Sequence, residues 1–154
     1  MIVSDKYNSA IADMALSHLR EGKRCRLKVA TESMHPFLKA GDYITIEKKP
    51  FRSLRRGDIL VFFKDGDFCA HRLLKKKTSF QRTIITKGDA ARNADQAIAP
   101  ENLLGRVVSY ERGGRAVQLQ GIYFSLINSL VGAYSYVTWI IYERLRIYKK
   151  LLLN

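Results

Sequence analysis

The hydrophobic rhythm of the chain changes twice. Between Ser4 and Leu19, the apolar Ile11, Met14, Ala15 and Leu16 fall against Asp13, Ser17 and His18, an approximately helical spacing. Ser4 suits an N-cap and Gly22 a stop, so the pattern predicts a short amphipathic N-terminal helix. From Arg26 onward, short runs of alternating and β-branched residues take over, broken by Gly-Asp, Lys-Asp-Gly-Asp and Arg-Gly-Gly-Arg turns. Strands are predicted at 26–30, 43–47, 58–63, 67–76, 80–86, 103–111 and 115–120. Residues 87–102 are polar and small, with Pro100 near their end, and read as a loop. The body of the chain is therefore expected to be mainly β.

The last change comes at Ile122, after which no charged residue occurs until Glu143. As a helix this run is long enough for roughly 30 Å of hydrocarbon. Yet Ser125, Asn128, Ser129, Gly132 and Ser135 recur at helical spacing, opposite Leu126, Ile127, Leu130, Val131 and Val137. Such asymmetry also suits a helix lying in a membrane interface, or one docked on protein. All three readings stay open, and Tyr123, Trp139 and Tyr142 favour a membrane interface of either kind. The expected division is an N-terminal helix over 1–22, a β domain over 23–120, and a hydrophobic, basic helical segment over 121–154 that associates the chain with a membrane.

Composition narrows the partners. With 154 residues, 47% of them hydrophobic, the chain can bury one core and is too short for two ordinary domains. Twenty-seven Lys and Arg against fourteen Asp and Glu leave a formal charge of +13, which implies an anionic neighbour. Nucleic acid is disfavoured, because no helix-turn-helix, zinc finger or aromatic RNA-binding box accompanies the basic residues. An anionic membrane surface fits better, since Arg144, Arg146, Lys149 and Lys150 follow the most apolar run. Cys25 and Cys69 lack both zinc-site spacing and the density of a disulfide scaffold, and read as small buried hydrophobes. The start, MIVSDKYNS, lacks the basic region and apolar run of a secretory signal.

Three stretches supply a hydroxyl, an imidazole and two carboxylates: TESMHP at 31–36, AHR at 70–72 and KGDAARNAD at 87–95. A serine hydroxyl is a weak nucleophile unless a base takes its proton and a third group holds that base in the correct tautomer. Ser33, His71 and Asp95 suit those roles. On a strand, His71 shares one face with Asp67 and Cys69, while Phe68 and Ala70 share the other. An imidazole accepts a proton near neutral pH without the heavy desolvation a lysine base needs. The backbone N–H of Ser33, with the Thr31 hydroxyl, suits an oxyanion hole. Neither a metal nor an organic cofactor is needed for such chemistry.

At these residues the chain resembles the type I signal peptidase family, within the superfamily that also holds LexA-like self-cleaving repressors. Four blocks carry the resemblance, over roughly residues 26–109. Ser33-Met34, then Pro36, resembles the nucleophile box, with Gly41-Asp42 at the usual distance. RRGDILVF at 55–62 resembles the second Gly-Asp strand. His71-Arg72 falls where the bacterial branch has a lysine base and the archaeal and endoplasmic reticulum branch a histidine. ITKGDAARNAD resembles the acidic box of the histidine branch, whose two carboxylates are here Asp89 and Asp95. Two departures stand out: Thr31-Glu32 replaces the family's Ser-Gly, and no membrane helix precedes the nucleophile.

The resemblance implies a LexA/signal-peptidase-like coiled β-sheet domain that cleaves a signal or leader peptide from a precursor, after a small residue. It implies Ser33, His71, Asp95 and Asp89 as catalytic groups, with Asp89 either at the same imidazole or paired with Lys87 or Arg92 to shape the loop. Met34 and Pro36 shape the nucleophile turn and flank a small substrate pocket, and a precursor peptide is the partner. A non-catalytic binding module of the same fold, on lipid or nucleic acid, and a LexA-like self-cleaving regulatory domain are the alternatives.

Overall fold

Ile44 and Ile46 are fully buried, while Tyr43, Thr45 and Glu47 around them are only partly covered. Alternate side chains of an extended strand point to opposite faces, and here one face meets the core. The structure, a computed structural model, describes residues 8–64, 67–78, 82–119 and 121–152. Its strands are β1 (Cys25–Lys28), β2 (Tyr43–Glu47), β3 (Ile59–Lys64), β4 (Asp67–Lys77), β5 (Thr83–Lys87), β6 (Leu103–Arg112) and β7 (Arg115–Gln118). They form one antiparallel sheet in the order β1-β2-β6-β3-β4-β5, with β7 also paired to β6. Each predicted strand is present, with ends moved by a few residues. The predicted start at 80 and end at 120 lie outside the described residues.

β3 reads as an unbroken apolar run because both its faces are covered. Val61 packs with Ile44, Ile46, Phe68 and Val107 on one side. Leu60 and Phe62 pack with Leu54, Leu73, Ile84 and Ile98 on the other. Register shifts between Thr45 and Ile46, Val61 and Phe62, and Leu73 and Lys75 bend the sheet, because an extra residue on one strand raises local twist. Helix α1 (Asn8–Arg20) seats Ala15 and Leu19 in the first of these clusters, beside Cys25 and Leu27. It stops at Gly22, whose φ of 77° turns the chain so that the Lys23 N–H donates to the His18 carbonyl. The expected N-cap, Ser4, lies outside the described residues. Cys25 and Cys69 are free thiols.

Helix α2 (Ile122–Leu152) docks through its small and polar stripe. Asn128 and Ser135 are buried against the body, and a Cβ built on Gly132 would lie 2.8 Å from the Gly57 Cα. Only two glycines permit backbones to approach so closely. Among the described residues no helix is long and apolar enough to cross a membrane. This corrects the spanning reading of the segment: the polar residues that dilute the apolar run include those that hold it to the sheet.

The Gly57 contact gives a direct check of this docking. Gly57 and Gly41 share almost the same backbone, with φ of 92° and 91°. A Cβ at Gly57 would fall 2.0 Å from the Asn128 carbonyl oxygen, whereas one at Gly41 meets nothing within 4 Å. Gly41→Ala should therefore cost only left-handed strain, about 1–2 kcal/mol, and Gly57→Ala that strain plus displacement of α2. Urea unfolding of both variants measures the difference. Equal losses would mean that α2 does not sit on Gly57.

Candidate active site

The loop that carries Ser33 is closed at its base by two backbone bonds, Val29 N–H to the Asp42 carbonyl and Gly41 N–H to the Val29 carbonyl, each 2.8 Å. Within it, the Glu32 carboxylate accepts from the Ala40 N–H at 3.1 Å, so the charge that replaces a glycine has a structural use. The two Gly-Asp pairs do the same work in different places. Gly41 and Gly57 supply the left-handed turn, and each following Asp accepts an N–H three residues back, Asp42 from Lys39 and Asp58 from Arg55. Arg112, from the end of β6, grips both Asp42 oxygens at 2.9 and 2.6 Å and the Phe37 carbonyl at 3.0 Å. Burial pushes the Asp42 carboxyl up, but its bonds and charge contacts with Arg112 and Lys39 outweigh that and hold it below the usual range.

Ser33, Thr31, His71 and Asp95 come together around this loop, although they arise from separate segments. His71 is on β4, on the partly exposed face that Asp67 and Cys69 share, while Phe68, Ala70 and Arg72 are buried. Its Nδ1 lies 2.7 Å from Asp95 Oδ2, and the Phe62 ring meets the imidazole edge-on. Asp95 is itself held by the Thr86 hydroxyl at 2.7 Å and by its own N–H on the Thr86 carbonyl. Burial raises the Asp95 carboxyl, yet the His71 and Thr86 hydrogen bonds, with the His71 and Lys64 charges, leave it below its ordinary value. The stability it lends is thus present above the unfolded carboxyl pKa of about 3.9 and is lost only as pH falls through the lower folded value. An ionised carboxylate only accepts, so the Nδ1 atom donates, and Nε2 is the ring nitrogen left to exchange a proton with another group.

Nε2 faces the nucleophile loop across a single glycine. A Cβ built on Gly88 would lie 2.7 Å from the Ser33 carbonyl oxygen and 3.2 Å from His71 Nε2. The Ala90 N–H ties the acidic loop to the same Ser33 carbonyl at 3.0 Å. The Thr31 hydroxyl lies 3.5 Å from Ser33 Oγ. Among the described residues no backbone carbonyl accepts from the Ser33 N–H.

Other expected site residues are placed differently. Asp89, left open between the imidazole and an ion pair with Lys87 or Arg92, pairs instead with Arg72, whose Nε and Nη2 donate to its two oxygens at 2.8 and 2.7 Å. Arg72 is fully buried and must have a counter-ion; Asp89 is that counter-ion, and Gly57 O and Asn128 Oδ1 take the remaining guanidinium nitrogen. Met34, expected to shape the nucleophile turn and to flank substrate, is 1% exposed and packs in the core, so it has no face for a ligand and its part is in the packing of the turn. Pro36 is exposed, at the rim of a cleft of about 360 Å³ walled by Phe37, Tyr110, Val131 and Tyr134. Lys87 is buried, donates to Ser135 Oγ at 3.1 Å and Gly88 O at 3.4 Å, and has its pKa lowered, first by desolvation.

Thr86, Gly88, Asn128, Ser135 and Arg112 were not legible as site residues. Thr86 and Gly88 flank Lys87 in the acidic box, so proximity in sequence was a usable signal for those two. The others are distant in sequence, and nothing short of the fold points to them.

The sequence matches the family model described as Peptidase S24-like over residues 3–100. No curated protein matches the chain.

Proposed function

The chain belongs to the Peptidase S24-like family, and from that membership we propose a serine endopeptidase in which Ser33 is the nucleophile, His71 the base, and Asp95 the group that orients His71. Membership alone carries the coarser statement, a serine-type peptidase acting on another chain or on itself. The observation supporting the finer roles is the 2.7 Å contact of His71 Nδ1 with Asp95, which turns Nε2 toward the Ser33 main chain across Gly88.

In the proposed reaction, Ser33 Oγ rotates from Thr31 to Nε2, gives up its proton there, and attacks a peptide carbonyl carbon. Negative charge builds on the carbonyl oxygen, where the Ser33 N–H and the Thr31 hydroxyl stabilise it. The imidazolium then protonates the leaving amine, and water releases the acyl group by the same route. Lys87 faces Ser135 and Gly88 O, whereas the imidazole faces Ser33; this favours the histidine-base signal peptidase branch over a lysine-base enzyme. The substrate is then the extended leader or signal segment of a precursor.

Asp95→Asn tests the orienting role. An amide can donate to Nδ1 and stabilise the wrong tautomer, so kcat should fall by about 10⁴-fold with little change in KM. A fall below tenfold would remove Asp95 from the reaction. Following wild-type cleavage at several protein concentrations separates attack within one chain, whose rate constant stays fixed, from attack on an added peptide.

A further inference from the structure

The amphipathic face of α2 points the unusual way. Asn128, Gly132 and Ser135 of its polar stripe are buried on the body, and much of its apolar side is turned to solvent. Leu126, Leu130, Tyr134, Val137, Ile141, Leu145 and Tyr148 are each more than half exposed. Their spacing of three and four keeps them on one side of the helix, over a length of about 33 Å at 1.5 Å per residue. A continuous apolar stripe of that size marks a surface that something covers.

We propose that this face lies on the surface of an anionic lipid bilayer, with α2 in the plane of the interface. The charge pattern selects that occupant. Arg144, three residues after Ile141 and four before Tyr148, borders the stripe, and both Arg144 and Arg146 are exposed. Arg55 and Arg56 are exposed on the loop that carries Gly57, and the Arg56 guanidinium stacks 4.4 Å over the Tyr136 ring of α2. Basic groups therefore lie beside the middle and the far end of the apolar strip, the arrangement that anionic headgroups over an acyl boundary attract. A second copy of the chain fits less well, because two bodies of charge +13 repel. The same stripe could not be served by a helix passing through the bilayer, since α2 is not apolar enough to cross.

The test is flotation of the full chain with vesicles of neutral phosphatidylcholine, or of phosphatidylcholine with about one third phosphatidylglycerol. Binding is expected only to the anionic vesicles, and high salt should weaken it. Leu130→Glu with Ile141→Glu, both exposed positions whose folding is checked by circular dichroism, should cut the bound fraction at least tenfold. Arg144→Glu with Arg146→Glu should cut it less. Three outcomes would overturn the proposal: no binding to anionic vesicles, equal binding by the Leu130/Ile141 variant, or a lipid-free dimer that this variant converts to monomer. The readout needs no cleavage, so its failure leaves the peptidase reading standing.

Discussion

Ser33→Ala should lower peptide cleavage by about 10⁴- to 10⁶-fold and leave the fold intact. The size follows from the role: without Oγ no acyl intermediate forms, and only binding and the oxyanion donors remain. The fold is spared because the hydroxyl carries no structural load. Its neighbour is Thr31 at 3.5 Å, while the loop is held by Glu32, Asp42 and Arg112 and by the Ser33 carbonyl rather than its side chain. Circular dichroism and a urea midpoint matching wild type would show that the loss is chemical. Retention of a tenth or more of the wild-type rate would mean that another nucleophile acts.

The largest loss of stability is expected from Asp89→Ala, about 3–5 kcal/mol. Arg72 is fully buried, and Asp89 takes two of its donors and its charge. Removing the carboxylate leaves a desolvated guanidinium held by Gly57 O, Asn128 Oδ1 and the Phe37 ring face at 4.9 Å. These neutral partners cannot replace the charge. The natural control is Glu21→Ala, which breaks an exposed pair with Lys23 and should move stability by less than about 1 kcal/mol. Urea unfolding of both variants measures the contrast. If the two midpoints shift alike, Arg72 is not held by Asp89.

The same pair marks the boundary of what the sequence reveals. Strand positions were legible because a buried face writes a period of two into the chain, as at 43–47 and 67–72, where partly covered and buried residues alternate. The likeness of ITKGDAARNAD to an acidic box supplied two carboxylates, but which of them meets the imidazole depends on where Arg72 points. His71 and Arg72 are neighbours on opposite faces of β4, so Asp95 and Asp89 are sorted to opposite sides of the strand. Pattern alone cannot show that sorting. Met34 sits beside the serine in sequence yet packs in the core. For α2, amphipathicity was visible but its sense was not: buried Arg72 and Lys87 need Asn128 and Ser135, and that need turns the apolar side outward. Polar demand in the body, unseen from the helix's own sequence, decided its orientation.

The most direct test of a shared reaction by Ser33 and His71 is cleavage of a mixed peptide library, read by mass spectrometry, with wild type, Ser33→Ala, His71→Ala and the double variant. Groups that act as one unit lose their effect together. Cleavage is expected from wild type alone, with both single variants already as low as the double. Wild-type cuts surviving in Ser33→Ala, or a double variant whose loss is the product of two modest single losses, would contradict it.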